Sequence, residues 1–99
     1  MDQRKRIAYM EQILDEATVV VASLSEALAK YNAVKDRLQE LSAYYGSKQW
    51  FQDFDDDSAG RLPRNLKRGV LSEDAVYNLL TDHAILKEQL KNMEAELNG

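Results

Sequence analysis

Apolar residues recur along the first half of the chain at Ile7, Met10, Leu14, Ala17, Val21, Leu24, Leu28 and Tyr31, in steps that alternate three and four. That spacing keeps side chains on one side of an α-helix. A second three-residue step carries the seam to Val34, and Leu38, Leu41 and Tyr45 continue it. Such a shift changes the local winding of a coiled-coil stripe. No proline or glycine interrupts residues 2–45, and Gly46 follows, able to take the left-handed conformation that ends helices. The pattern predicts one helix over about residues 2–45, on the order of 65 Å long at 1.5 Å per residue.

The apolar face of this helix is broad, because Ile13, Val20, Ala27, Val34 and Leu41 flank the seam on one side. A face wider than a two-stranded stripe wants more than one neighbour. Between Glu16 and Lys30 the sole charge is Glu26, and Thr18-Val19-Val20-Val21-Ala22-Ser23 places apolar or small groups on every side. A helix that is apolar all round is ordinarily buried all round, and three consecutive valines form helix poorly without packing. One helical hairpin cannot surround the stretch. A second copy of the chain is therefore expected to cover it, through Leu14, Val19, Val20, Val21, Leu24 and Leu28, in an antiparallel or crossed helical bundle.

A second helix is predicted over about residues 73–97. Ser72 can cap its free amides, Glu73 and Asp74 complement the positive end of its dipole, and Leu71 and Val76 are placed as a hydrophobic staple. Val76, Leu79, His83, Leu86, Leu90, Met93 and Leu97 again step by three and four, with Leu80 widening the stripe. The connector, residues 46–71, is too rich in Trp50, Phe51, Phe54, Leu62, Leu66, Val70 and Leu71 to be a loose linker. Trp50 and Phe54 are spaced as one helical turn would place them. The run Asp55-Asp56-Asp57-Ser58-Ala59-Gly60 is expected to break that turn, and Pro63 to open another that Gly69 closes. The expected fold is all-α: a single domain over residues 1–99, with a short helical connector and the second helix packed antiparallel on the first.

At 99 residues there is room for one domain. The 30% charged share suits long helices with wet outer faces, and the 44% apolar share argues against a disordered tail. A net charge of −4, from 13 basic and 17 acidic residues, argues against gripping nucleic acid through the overall field. Cysteine is absent from the sequence, so neither a disulfide nor a thiolate site can form. The basic start Arg4-Lys5-Arg6 precedes an apolar run that Glu11 cuts short of an export core, and no run approaches a membrane span. Cytoplasmic residence is the expectation.

Candidate chemistry is sparse. Asp53-x-Asp55-x-Asp57 starts like a calcium-binding loop, but Ser58 stands where glycine is required and Arg64 where a bidentate glutamate should be. The acidic run reads more simply as a helix end balanced by Arg61, Arg64, Lys67 and Arg68. Those cations, with Trp50 as a stacking platform, would alternatively suit a nucleic acid or nucleotide. Residues 46–71 nevertheless carry five basic and four acidic groups, and no glycine-rich phosphate loop is present. His83, the lone histidine, reads as a core or interface residue, since neither a nucleophile nor a second ligand stands at useful spacing. No constellation of nucleophile, base and oxyanion donors can be assembled, and no cofactor or metal is expected.

Several blocks of the central stretch carry a resemblance: Tyr44-Tyr45-Gly46-Ser47, Trp50, Asp53-Phe54, Ala59-Gly60, Leu62-Pro63, Leu66 to Asp74, and Tyr77-Asn78-Leu79-Leu80. Together with the opening Met10-Glu11-Gln12-Ile13-Leu14, the chain resembles the bacterial family known as domain of unknown function 4298 over nearly its whole length. Gly69-Val70-Leu71-Ser72-Glu73-Asp74 is the most specific block. The resemblance implies short, stand-alone bacterial proteins, and it brings no activity, cofactor or catalytic residue.

The leading expectation is a non-catalytic interaction or scaffold protein that self-associates through its long helix. It would present Trp50, Asp53, Phe54, Arg61, Arg64, Lys67 and Arg68 to an unidentified protein partner. Nucleic-acid or nucleotide binding through Trp50, Arg61, Arg64, Lys67 and Arg68 is the alternative, and a metal-dependent hydrolase using Asp53 to Asp57 the third.

Overall fold

The computed structural model describes residues 2–99, and among them the regular elements are all helical. Helix α1 spans Gln3–Tyr44, α2 Lys48–Ser58 and α3 Ala75–Asn98, with a single 3-10 turn at Gly69–Leu71 before α3. The Asp2 carboxylate caps α1 by accepting the Lys5 amide at 2.9 Å. At the other end Gly46 adopts φ +79°, so the chain turns away where the sequence places the stop.

Two compact units divide the chain, the first ending at Arg37 and the second covering Leu38–Gly99. Within the first, every described residue up to Lys30 is exposed, including Val19, Val20 and Val21 at 65%, 63% and 66%. The valine run was expected to need packing to stay helical, yet it is helical with no cover from its own chain. Position in a long, uninterrupted helix supplies cooperativity that a short one lacks. Thr18 turns its hydroxyl back onto the Leu14 carbonyl at 2.6 Å, which satisfies that polar group without a neighbour.

The second unit holds the buried apolar residues, Trp50, Leu71 and Val76. The 3-10 turn packs against both α2 and α3. Leu71 and Val76, the expected staple pair, are 6% and 4% exposed, so the segment leading into α3 is fixed by apolar burial on both sides of the cap. Ser72 accepts the Ala75 amide at 3.2 Å and donates to the Gly69 carbonyl at 2.7 Å. It thus serves the start of α3 as expected, although regular helix begins two residues later than residue 73.

Two local expectations are corrected. The aspartates do not break α2, which continues through Asp55, Asp56 and Asp57 to Ser58 and ends only where Gly60 takes φ +73°. Gly69 opens the 3-10 turn instead of closing the one that starts at Pro63, where the Leu66 amide bonds the Pro63 carbonyl at 3.2 Å. On α3 the covered stripe is Val76, Leu80, His83 and Leu90, while Leu79 and Leu86 remain exposed.

Truncating Leu71 to alanine should therefore lower the stability of the second unit by about 2–4 kcal/mol, the cost of emptying a buried leucine site. Leu97→Ala, at a position 85% exposed, should change it by less than about 0.5 kcal/mol. Urea unfolding followed by Trp50 fluorescence measures both.

Candidate functional site

The connector is built around Trp50. Ser47 starts α2 by accepting the Trp50 amide at 3.2 Å, which places the indole one turn into the helix. Its ring stacks on Phe54 at 5.3 Å and meets Tyr45 and Phe51 edge to face at 5.3 and 5.1 Å. Edge-to-face and offset geometries satisfy the ring quadrupoles. The indole N–H donates to the Val70 carbonyl at 3.0 Å, tying α2 to the 3-10 turn across twenty residues of sequence. At 7% exposure Trp50 is a core residue, so it offers neither a stacking platform for a base nor a partner contact.

Most of the charged residues expected at this surface are consumed within it. Asp53 accepts the Tyr44 hydroxyl at 2.6 Å, joining the last residue of α1 to α2. Arg61 pairs with Asp56 at 3.0 Å, and Gln52 donates to the same carboxylate at 3.2 Å. Arg68 pairs with Asp57 at 3.0 Å, with both side chains about one-third exposed or less. These pairs offset part of the repulsion within the acidic run, through which α2 stays helical. Asp55, Arg64 and Lys67 remain exposed and have no ion-pair partner among the described residues. Phe54 is half-buried and Phe51 is 55% exposed.

The acidic group does not converge. Among the described residues no three His, Asp or Glu side chains stand where they could hold a metal ion, and Asp53, Asp56 and Asp57 each face a different partner. The calcium-loop spacing falls inside a helix, which cannot wrap around an ion as a loop does. His83 is half-buried and already engaged with a neighbour.

The Tyr44–Asp53 bond is the feature missed in the sequence, where Asp53 read as part of a partner-facing surface. Its signal was the Gly46 turn, which folds α2 back toward the end of α1. The hydrogen bond to Asp53, then burial, then the Asp53 charge push the Tyr44 phenol from 10.0 up to about 12. All three favour the protonated phenol.

On α1, Leu14, Ala17, Thr18, Val21, Ala22 and Ser25 line a shallow open groove. Of the expected self-association residues, Leu14, Val19, Val20, Val21, Leu24 and Leu28 are all exposed on the chain, at 58, 65, 63, 66, 52 and 43%. No helix among the described residues is long and apolar enough to cross a membrane. A family model described as a domain of unknown function (DUF4298) matches residues 7–93. No curated protein and no solved structure matches the chain.

Because its phenol titrates higher in the folded state, Tyr44 contributes stability that is fully present below pH 10 and is lost as pH rises toward 12. Tyr44→Phe should cost about 1–2 kcal/mol at pH 8, the worth of a hydrogen bond to a charged acceptor less solvent screening. In urea titrations the gap between wild type and Tyr44→Phe should close between pH 10 and 12.

Proposed function

Since the chain belongs to the DUF4298 family, which carries no assigned activity, its function has to be read from its own surfaces, and we propose a non-catalytic, self-associating interaction protein of the cytoplasm. The observation that carries this reading is the charge-free stretch between Glu16 and Glu26. Its large side chains, Val19, Val20, Val21 and Leu24, are all more than half exposed on the chain. Contiguous apolar surface of this kind marks protein interaction sites. A second copy is the cover that leaves no further component to be supplied. In this reading α3 packs antiparallel to α1 and two such hairpins form a dimeric bundle. The partner-facing surface of the connector narrows to Phe51, Asp55, Arg64 and Lys67, which are exposed, whereas Asp53, Asp56, Asp57, Arg61 and Arg68 are engaged within the segment or with the end of α1.

The same geometry supports a non-catalytic role. In the connector Asp53, Asp56 and Asp57 are each held by a structural neighbour, Asp55 stands exposed without an ion pair among the described residues, and the carboxylates are dispersed around α2.

Val21→Lys combined with Leu24→Glu should convert a dimer into a monomer in sedimentation equilibrium at tens of micromolar. Arg64→Glu should leave the subunit number unchanged. A wild-type chain that sediments as a monomer at that concentration overturns the reading.

A further inference from the structure

The seam of α1 reads the same in both directions. Ile7, Met10, Leu14, Ala17, Val21, Leu24, Leu28 and Tyr31 are symmetric about residue 19, so positions whose numbers sum to 38 exchange places when the helix is reversed. We propose that two copies of the chain associate through α1 in antiparallel orientation, with the two-fold axis crossing between the helices at the level of residue 19. The inference rests on the self-association proposed above and specifies its orientation and register.

Reversal pairs Ile7 with the partner's Tyr31, Met10 with the partner's Leu28, Leu14 with the partner's Leu24, and Ala17 with the partner's Val21. Large residues meet at the ends and small ones at the centre. The groove on α1 follows this order. Four of its lining residues, Leu14, Ala17, Thr18 and Val21, are the corners of the hole around Ala17 into which a facing side chain would insert. An antiparallel partner offers that hole a valine. A parallel, in-register partner offers it an alanine, leaves the groove largely unfilled, and stacks Tyr31 on itself at the far end.

The flanking positions agree. On one side of the seam Val20 faces its own copy and Ile13 faces the partner's Ala27; on the other Thr18 faces its own copy and Glu11 faces the partner's Ser25. No like charges meet across these pairs. The Thr18 hydroxyl, already bonded to the Leu14 carbonyl, enters the interface without an unmet donor.

Size is adequate. Ile7, Met10, Ile13, Leu14, Val20, Val21, Leu24 and Leu28 are 43–66% exposed. At on the order of 80 Å² each, the pair would remove roughly 1,300 Å² from water, the lower end of the range for stable specific interfaces. Val19 stands on the opposite side of the helix and lies outside this contact.

The absence of cysteine allows single-site labelling of the full chain. Ala8→Cys and Lys30→Cys, both at exposed positions, are each labelled with a nitroxide, and spin–spin distances are read by pulsed electron resonance alongside sedimentation. Positions 8 and 30 sum to 38, so both variants should give the same distance, about 35 Å, from 22 residues at 1.5 Å per residue and a lateral offset. A dimer giving distances under about 20 Å at both positions is parallel, and overturns the orientation while leaving self-association standing. Clearly unequal distances overturn the register. A monomer overturns this inference together with the reading beneath it.

Discussion

The connector's order depends on one side chain. Trp50 is the point at which the end of α1, helix α2 and the turn before α3 meet, through three aromatic contacts and one hydrogen bond to the Val70 carbonyl. A 99-residue chain of long helices has little interior, and a large amphipathic ring with a satisfied N–H fills what there is. Leu71 and Val76 extend the same small core into the start of α3. The ion pairs of Asp56 with Arg61 and Asp57 with Arg68 lie outside this core, along the acidic run of α2.

Burial is correspondingly uneven. Within the second unit Leu38, Leu41 and Tyr45 are half-buried, whereas the described residues before Tyr31 are exposed throughout. The C-terminal end of α1 belongs to a packed unit, and the stretch before it keeps an apolar seam whose hydrophobic free energy is unspent in the isolated chain.

The limits of α1 were legible because they are written locally, in an unbroken helical period and a glycine at the stop. So were the Ser72 cap and the Leu71–Val76 staple, which depend on residues a few positions apart. Family membership was legible for the same reason, from the contiguous block at residues 69–74. What escaped lies at longer range. Asp56 and Asp57 meet Arg61 and Arg68 only once the chain beyond α2 has turned back, and the Trp50 indole meets the carbonyl of Val70. Tyr44 finds Asp53 only after the Gly46 turn has formed. On α3 the expected stripe holds at Val76, His83 and Leu90, whereas Leu79, Leu86, Met93 and Leu97 are exposed and Leu80 is covered in place of Leu79.

Gly46 and Gly60 bracket α2, and both adopt positive φ with nothing within 4 Å of where a Cβ would stand. Handedness, then, and not room, is what reserves these two places for the achiral residue. A mirror-image amino acid has its backbone preference inverted, so D-alanine would sit in either turn without strain. By restricting the unfolded chain it would stiffen the connector where L-alanine would loosen it.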